Sequence, residues 1–212
     1  MKESAGILVT FEGVEGCGKS TLLQALAERL REQGHAVTLS REPGGTAAGE
    51  RIRAVVLDSR HTGLSPLSEL FLMLAARAQL VEEVLRPALR RGEIVLCDRY
   101  GDSSSAYQGE GRGLGLDRVE ELNRLATGDL VPDLTFLVDL SPEEGRARMG
   151  DRQRDRMERE EAGFHERVRA GYEKLVARHS DRFRVLDGTL GREELLDQAS
   201  SQLEVLLRRR AG

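Results

Sequence analysis

Residues 13–21 read GVEGCGKST, directly behind the apolar run ILVTF at 7–11. Gly13, Gly18, Lys19 and Ser20 satisfy G-x-x-x-x-G-K-[ST], and the run TLLQALAERLRE supplies the helix that this motif needs after it. Glycines let backbone N–H groups point inward around a polyphosphate, and the helix N-terminus adds partial positive charge. Gly13, Glu15, Gly16, Cys17, Gly18, Lys19, Ser20 and Thr21 are therefore the expected nucleotide-binding residues. Lys19 reaches the β- and γ-phosphates and the Ser20 hydroxyl faces Mg2+. The expected ligand is a nucleoside triphosphate with magnesium.

The loop alone does not separate a switch, a motor and a transferase. A guanine switch carries N-K-x-D, but the single asparagine is Asn123, followed by Arg124-Leu125-Ala126. Asp98-Arg99-Tyr100-Gly101 fits D-x-x-G only formally. The net charge of -4 gives no general attraction to nucleic acid or an anionic membrane. Two cysteines suit free thiols in a reducing compartment. No signal peptide and no membrane-spanning run is visible, so the expectation is one cytoplasmic domain over 1–212.

The elements that position these residues follow from periodicity. Apolar runs at 7–11, 36–40, 93–97, 134–140 and 183–187 look like strands buried on both faces, with crossover helices between them. The economical fold is α/β with a parallel sheet. Ser65-Pro66 and Ser141-Pro142 start helices, with Glu144 completing a capping box. Leu67, Leu70, Phe71, Leu74, Ala78, Val81 and Leu85 form one apolar seam, and Met73 and Arg77 lie off its centre, facing a cleft.

Four segments then carry a resemblance: FEGVEGCGKST at 11–21, REPGGT at 41–46, DRY with SSAYQG at 98–100 and 104–109, and DRQRDRMERE at 151–160. The chain resembles the bacterial thymidylate kinases among the nucleoside monophosphate kinases. The resemblance implies a P-loop NTPase fold, a five-stranded parallel sheet flanked by helices, with a mobile lid at about 145–161. It implies transfer of the γ-phosphoryl of ATP to dTMP with Mg2+, and a homodimer. Arg99 then clamps the acceptor phosphate, Asp98 holds magnesium, and Arg41 with Pro43 stands beside the acceptor. Glu15 accepts from the 3′-hydroxyl, Arg77, Ser104 and Gln108 read the thymine edge, and Tyr107 lies against the deoxyribose.

Met73 stands where the family usually stacks a phenylalanine, giving a looser thioether contact. Cys17 stands where one branch carries a basic residue, and members without it supply an arginine from the lid, here Arg152 or Arg154. The remaining lid charges read as a solvated helix face. The alternatives are a kinase of this architecture acting on another nucleotide or nucleoside, and a P-loop regulatory ATPase.

Overall fold

The structure is a computed structural model, and it describes residues 6–60, 63–150 and 155–211. In chain order the elements are β1 (Ile7–Glu12), α1 (Lys19–Glu32), β2 (Val37–Arg41), α2 (Ala47–Leu57) and α3 (Pro66–Leu80). A π-helical turn at Val81–Leu85 leads into α4 (Arg86–Arg90), followed by β3 (Ile94–Asp98) and α5 (Gly101–Ser104). α5 runs on as a π-helical stretch, Ser105–Gly111, before α6 (Leu116–Thr127), β4 (Leu134–Asp139) and α7 (Pro142–Met149). α8 (Ala162–Arg178), β5 (Phe183–Asp187) and α9 (Arg192–Ala211) complete the chain.

The five strands pair in parallel in the order β2-β3-β1-β4-β5. Alternation along β1 assigns its faces: Ile7, Val9 and Phe11 join a core with α1 and α9, while Leu8 packs with Leu80, Val81 and Leu85 on the other side. Only the three central strands are buried on both faces. β2 and β5 sit at the sheet edges and are half exposed, so the expectation of uniformly buried strands fails there.

β1 lies at the point where the strand order reverses, and ligands of such sheets bind beyond the carboxyl ends there. The register sets Phe11 beside Asp98, so the loop after β1 and the segment after β3 leave the sheet together. Both expected helix starts are present. Ser65 accepts from the Ser68 amide and Ser141 from the Glu144 amide. The Glu144 carboxylate closes on the Ser141 hydroxyl at 2.8 Å.

The seam on α3 is corrected. Leu70 and Leu74 are buried against Val119 of α6, but Leu67 is 44% and Phe71 52% exposed, because the stripe of α3 that packs on its neighbours is narrower than the spacing suggested. α7, by contrast, meets the glycine loop backbone to backbone. A Cβ on Gly145 would stand 2.3 Å from the Glu15 carbonyl oxygen, and one on Gly16 would stand 2.2 Å from that of Gly145. Gly145→Ala should therefore force α7 off the loop and cost about 1–3 kcal/mol. Urea unfolding measures this, and an unchanged midpoint would contradict the packing.

Candidate active site

Gly13, Gly16 and Gly18 have φ values of 136°, 74° and 98°, which only glycine adopts freely. Gly18 caps α1 without a side chain, leaving that helix start open to an anion. The Cys17 side chain is wholly buried in the core, so this residue offers the loop its backbone and not its thiol. A cavity of about 350 Å³ opens on the outer side of the loop, lined by Gly16, Lys19, Ser20 and Thr21 with Arg148 and Met149 of α7.

The Ser20 hydroxyl donates to the Asp98 carboxylate, bringing together two hard oxygen donors. Among the described residues no group of three or more His, Cys, Asp or Glu is placed to hold a metal. One carboxylate and one hydroxyl fit magnesium, which is held mostly through water and substrate phosphate.

Arg99 has a φ of 68°, an uncommon conformation for a residue with a side chain. Its neighbours impose it: the Arg99 amide donates to the Phe11 carbonyl at 2.9 Å, and the Tyr100 amide to the Glu12 carboxylate at 2.8 Å. The guanidinium donates to Glu15 at 3.1 Å, to the Tyr107 hydroxyl at 3.2 Å and to Ser103 at 3.2 Å. Burial opposes its charge, but Tyr107, Glu15, Tyr172 and Glu12 together keep it protonated.

Glu15 Oε1 also accepts from Tyr107 at 2.7 Å, while its buried Oε2 has no hydrogen-bond partner. Burial would raise the Glu15 pKa, yet Arg99, Lys19 and the Tyr107 hydroxyl hold it below the ordinary value.

A cavity of about 670 Å³ runs from Gly16, Lys19 and Ser20 past Asp98 and Arg99 to Met73 and Tyr107, with Arg41 and Pro43 on its rim. Arg41 is turned to Glu50 at 3.0 Å. Arg77, Ser104 and Gln108 are not on its wall. Arg77 is 2% exposed, and its guanidinium donates to Glu42 at 2.7 Å, Ser104 at 3.0 Å, Asn123 at 2.5 Å and the Tyr100 carbonyl at 3.0 Å. Nη2 also stands 2.5 Å from Glu42, so all three nitrogens are engaged. The buried Gln108 amide donates to Glu69 at 2.8 Å, leaving its Oε1 without a partner.

Arg152 and Arg154 lie outside the described residues. The segment 155–160 is built of turns and is not the expected solvated helix face. Met157 is buried, and Arg156 donates to the Val56 carbonyl at 2.7 Å and to Glu69 at 2.6 Å. This segment therefore roofs the cavity from α2 to α3, with Asp155, Met157 and Glu158 lining it.

The thymidylate kinase family model matches residues 11–199. The chain belongs to the thymidylate kinase family. It is 49% identical to the thymidylate kinase of Desulfovibrio desulfuricans over 96% of this chain and 98% of that one. It is 53% identical to the thymidylate kinase of Deinococcus radiodurans over 91% and 93% of the two chains. The crystal structure of thymidylate kinase from Ehrlichia chaffeensis superposes with a TM-score of 0.77 at 32% identity, covering 94% of this chain and 99% of that one. The fold is thus the P-loop NTPase fold of the thymidylate kinases, and the chain is a nucleoside monophosphate kinase by family.

Sequence reasoning missed Glu12, Glu42, Glu69 and Arg148. Glu12 had a visible signal, a carboxylate ending a strand that is otherwise apolar, next to Gly13. It is fully buried, accepts from Tyr100, Ser103 and Tyr172, and its pKa is pushed up to about 7 by burial and by Asp102.

The raised pKa has a consequence for stability. The unfolded chain releases this proton near the ordinary 4.5 while the folded protein keeps it to about 7. Stability from this group is therefore fully present below 4.5 and is lost as pH rises through about 7. Relative to Glu12→Gln, which does not titrate, the wild type should lose about 3 kcal/mol across that window. Urea titrations at stepped pH measure the difference, and a flat difference would contradict the burial of an ionisable Glu12.

Proposed function

We propose that the protein transfers the γ-phosphoryl group of ATP to the 5′-phosphate of dTMP, giving ADP and dTDP. The supporting observation is the position of Arg99, a protonated guanidinium held at the strand ends between the glycine loop and the acceptor cavity.

Two phosphate groups repel each other, so the chemistry consists of holding them end to end and neutralising charge as it moves. Lys19 and the open start of α1 hold the donor phosphates. Ser20 and Asp98 would hold Mg2+, which when bound offsets negative charge between the donor oxygens. Arg99 leaves Glu15 for the acceptor phosphate, whose oxygen attacks the γ-phosphorus in line while ADP departs. The acceptor oxygen is already nucleophilic, so no covalent intermediate on the enzyme is needed. The freed Glu15 carboxylate, whose Oε2 accepts no hydrogen bond within the protein, accepts from the 3′-hydroxyl. Tyr107 closes against the sugar, and Met73 covers the base.

The segment at about 145–161 acts as a lid that excludes water, and it brings Arg152 or Arg154 to the transferring group. A cytoplasmic location goes with this reading of the activity. Among the described residues no helix is long and apolar enough to cross a membrane. Val55 on α2 and Leu67 and Phe71 on α3 are exposed on two helices that pack together, and this is the face assigned to the pairing of two copies.

Incubated with ATP, Mg2+ and individual monophosphates, the protein should consume dTMP fastest, and ATP hydrolysis without acceptor dependence would overturn the proposal. The Arg152→Ala/Arg154→Ala double variant should lose about 10³-fold in kcat with a small change in KM for dTMP. Unchanged turnover would remove the lid assignment. Phe71→Asp should halve the mass seen by light scattering, whereas an unaltered mass would move the dimer contact elsewhere.

A further inference from the structure

Four-residue spacing places Glu69, Met73 and Arg77 along one stripe of α3, and Ser104 and Gln108 stand one turn apart on the helix opposite. The two helices meet in two rungs, Arg77 with Ser104 at 3.0 Å and Glu69 with Gln108 at 2.8 Å. Met73, which lines the acceptor cavity, lies between the rungs. The Arg77 rung has every nitrogen engaged within the protein. The Gln108 rung carries a fully buried amide oxygen with no partner.

We propose that Glu69 is a positioning residue for base selection: its carboxylate fixes the Gln108 amide so that an oxygen acceptor, and not an N–H donor, is offered to the pyrimidine. This rests on the nucleotide-acceptor reading above.

Either orientation of an isolated amide is open, and its neighbours decide between them. Here they leave one choice. Glu69 Oε1 accepts from Gln108 and from Arg112 Nε at 3.3 Å, and Oε2 accepts from Arg112 at 3.1 Å and Arg156 at 2.6 Å. These arginines and the Gln108 amide outweigh the effect of burial and hold the carboxyl below its ordinary pKa. An ionised carboxylate only accepts, so it turns the Gln108 amide nitrogen toward itself and the oxygen away. A presented acceptor matches thymine or uracil, whose N3 carries a hydrogen, and opposes cytosine, whose N3 is itself an acceptor. The site thereby distinguishes pyrimidines by whether N3 donates or accepts, through a residue that touches no ligand. Arg156 of the roofing segment grips the same carboxylate, so the closed cavity and the chosen amide orientation support each other.

Replacing Glu69 by glutamine supplies a donor that lets Gln108 turn over. The test compares kcat/KM for dTMP and dCMP in wild type, Glu69→Gln, Glu69→Asp and Arg112→Gln. The wild type should favour dTMP by more than about 10²-fold, and Glu69→Gln should cut that ratio at least about tenfold. Glu69→Asp, still only an acceptor, should keep the ratio even where its rate falls. Arg112→Gln, which disturbs the cluster without freeing the amide, should also keep it.

Equal losses on both nucleotides in Glu69→Gln would overturn the proposal, leaving Glu69 as an ion-pair anchor. A wild type that uses dCMP within about tenfold of dTMP would overturn it as well. Should Glu69→Gln show no cooperative melting transition, Glu69→Asp and Gln108→Leu carry the test: the first keeps the ratio and the second collapses it, and the reverse pattern contradicts the proposal. A wild type that phosphorylates neither nucleotide removes the functional reading itself, a result distinct from any of these.

Discussion

Arg99 is a largely enclosed cation on a left-handed backbone, its side chain 16% exposed, and both features are unfavourable on their own. They persist because β1 and β3 run side by side, with Phe11 opposite Asp98, so the exit of β1 supplies acceptors at the exit of β3. The Phe11 carbonyl and the Glu12 carboxylate bind the amides of Arg99 and Tyr100, and Glu15 in the glycine loop takes the guanidinium. The phosphate cradle and the guanidinium are therefore fixed relative to each other by backbone pairing before any nucleotide arrives. Such preorganisation matters because charge can be neutralised in the transition state without rearranging the surroundings at that moment.

Preorganisation also accounts for the number of carboxylates in and around the cavity, which would otherwise oppose phosphate binding. Glu12 keeps a proton near neutral pH and orders the Tyr100–Ser103 turn. Glu15 holds Arg99 in readiness, Glu42 anchors Arg77 in the layer beneath, and Glu69 gathers two arginines and an amide. The buried carboxylates are met by specific donors, and the oxygens of Glu15 and Gln108 that accept no hydrogen bond within the protein are those to which the ligand's hydroxyl and ring N–H are proposed to donate. The π-helical stretch after α5 contributes by its wide turn, sending Tyr107 toward Glu15 and Gln108 toward Glu69 from adjacent positions.

Much of this arrangement was legible in the residues themselves. The glycine loop, the five strand positions and the two proline-marked helix starts rest on local rules of backbone geometry, and these do not depend on distant contacts. Burial was less legible, since it depends on what packs opposite. Leu67 and Phe71 fit an apolar seam by spacing yet face outward, and Arg77 fits a cleft-facing position yet is sealed beneath it. Charged text misled in the same way. Arg156 reads like its neighbours in DRQRDRMERE, and only the tertiary partners Val56 and Glu69 distinguish it from a solvated side chain.

In the proposed reaction one guanidinium exchanges the Glu15 carboxylate for the acceptor phosphate at the mouth of the glycine loop. A crystal structure of the full chain with dTMP and a non-hydrolysable ATP analogue tests this most directly. The Arg99 nitrogens should stand about 2.7–3.2 Å from the 5′-phosphate oxygens, with the 3′-hydroxyl donating to Glu15. An Arg99 still closed on Glu15 while both nucleotides are bound, with the acceptor phosphate held elsewhere, would contradict it.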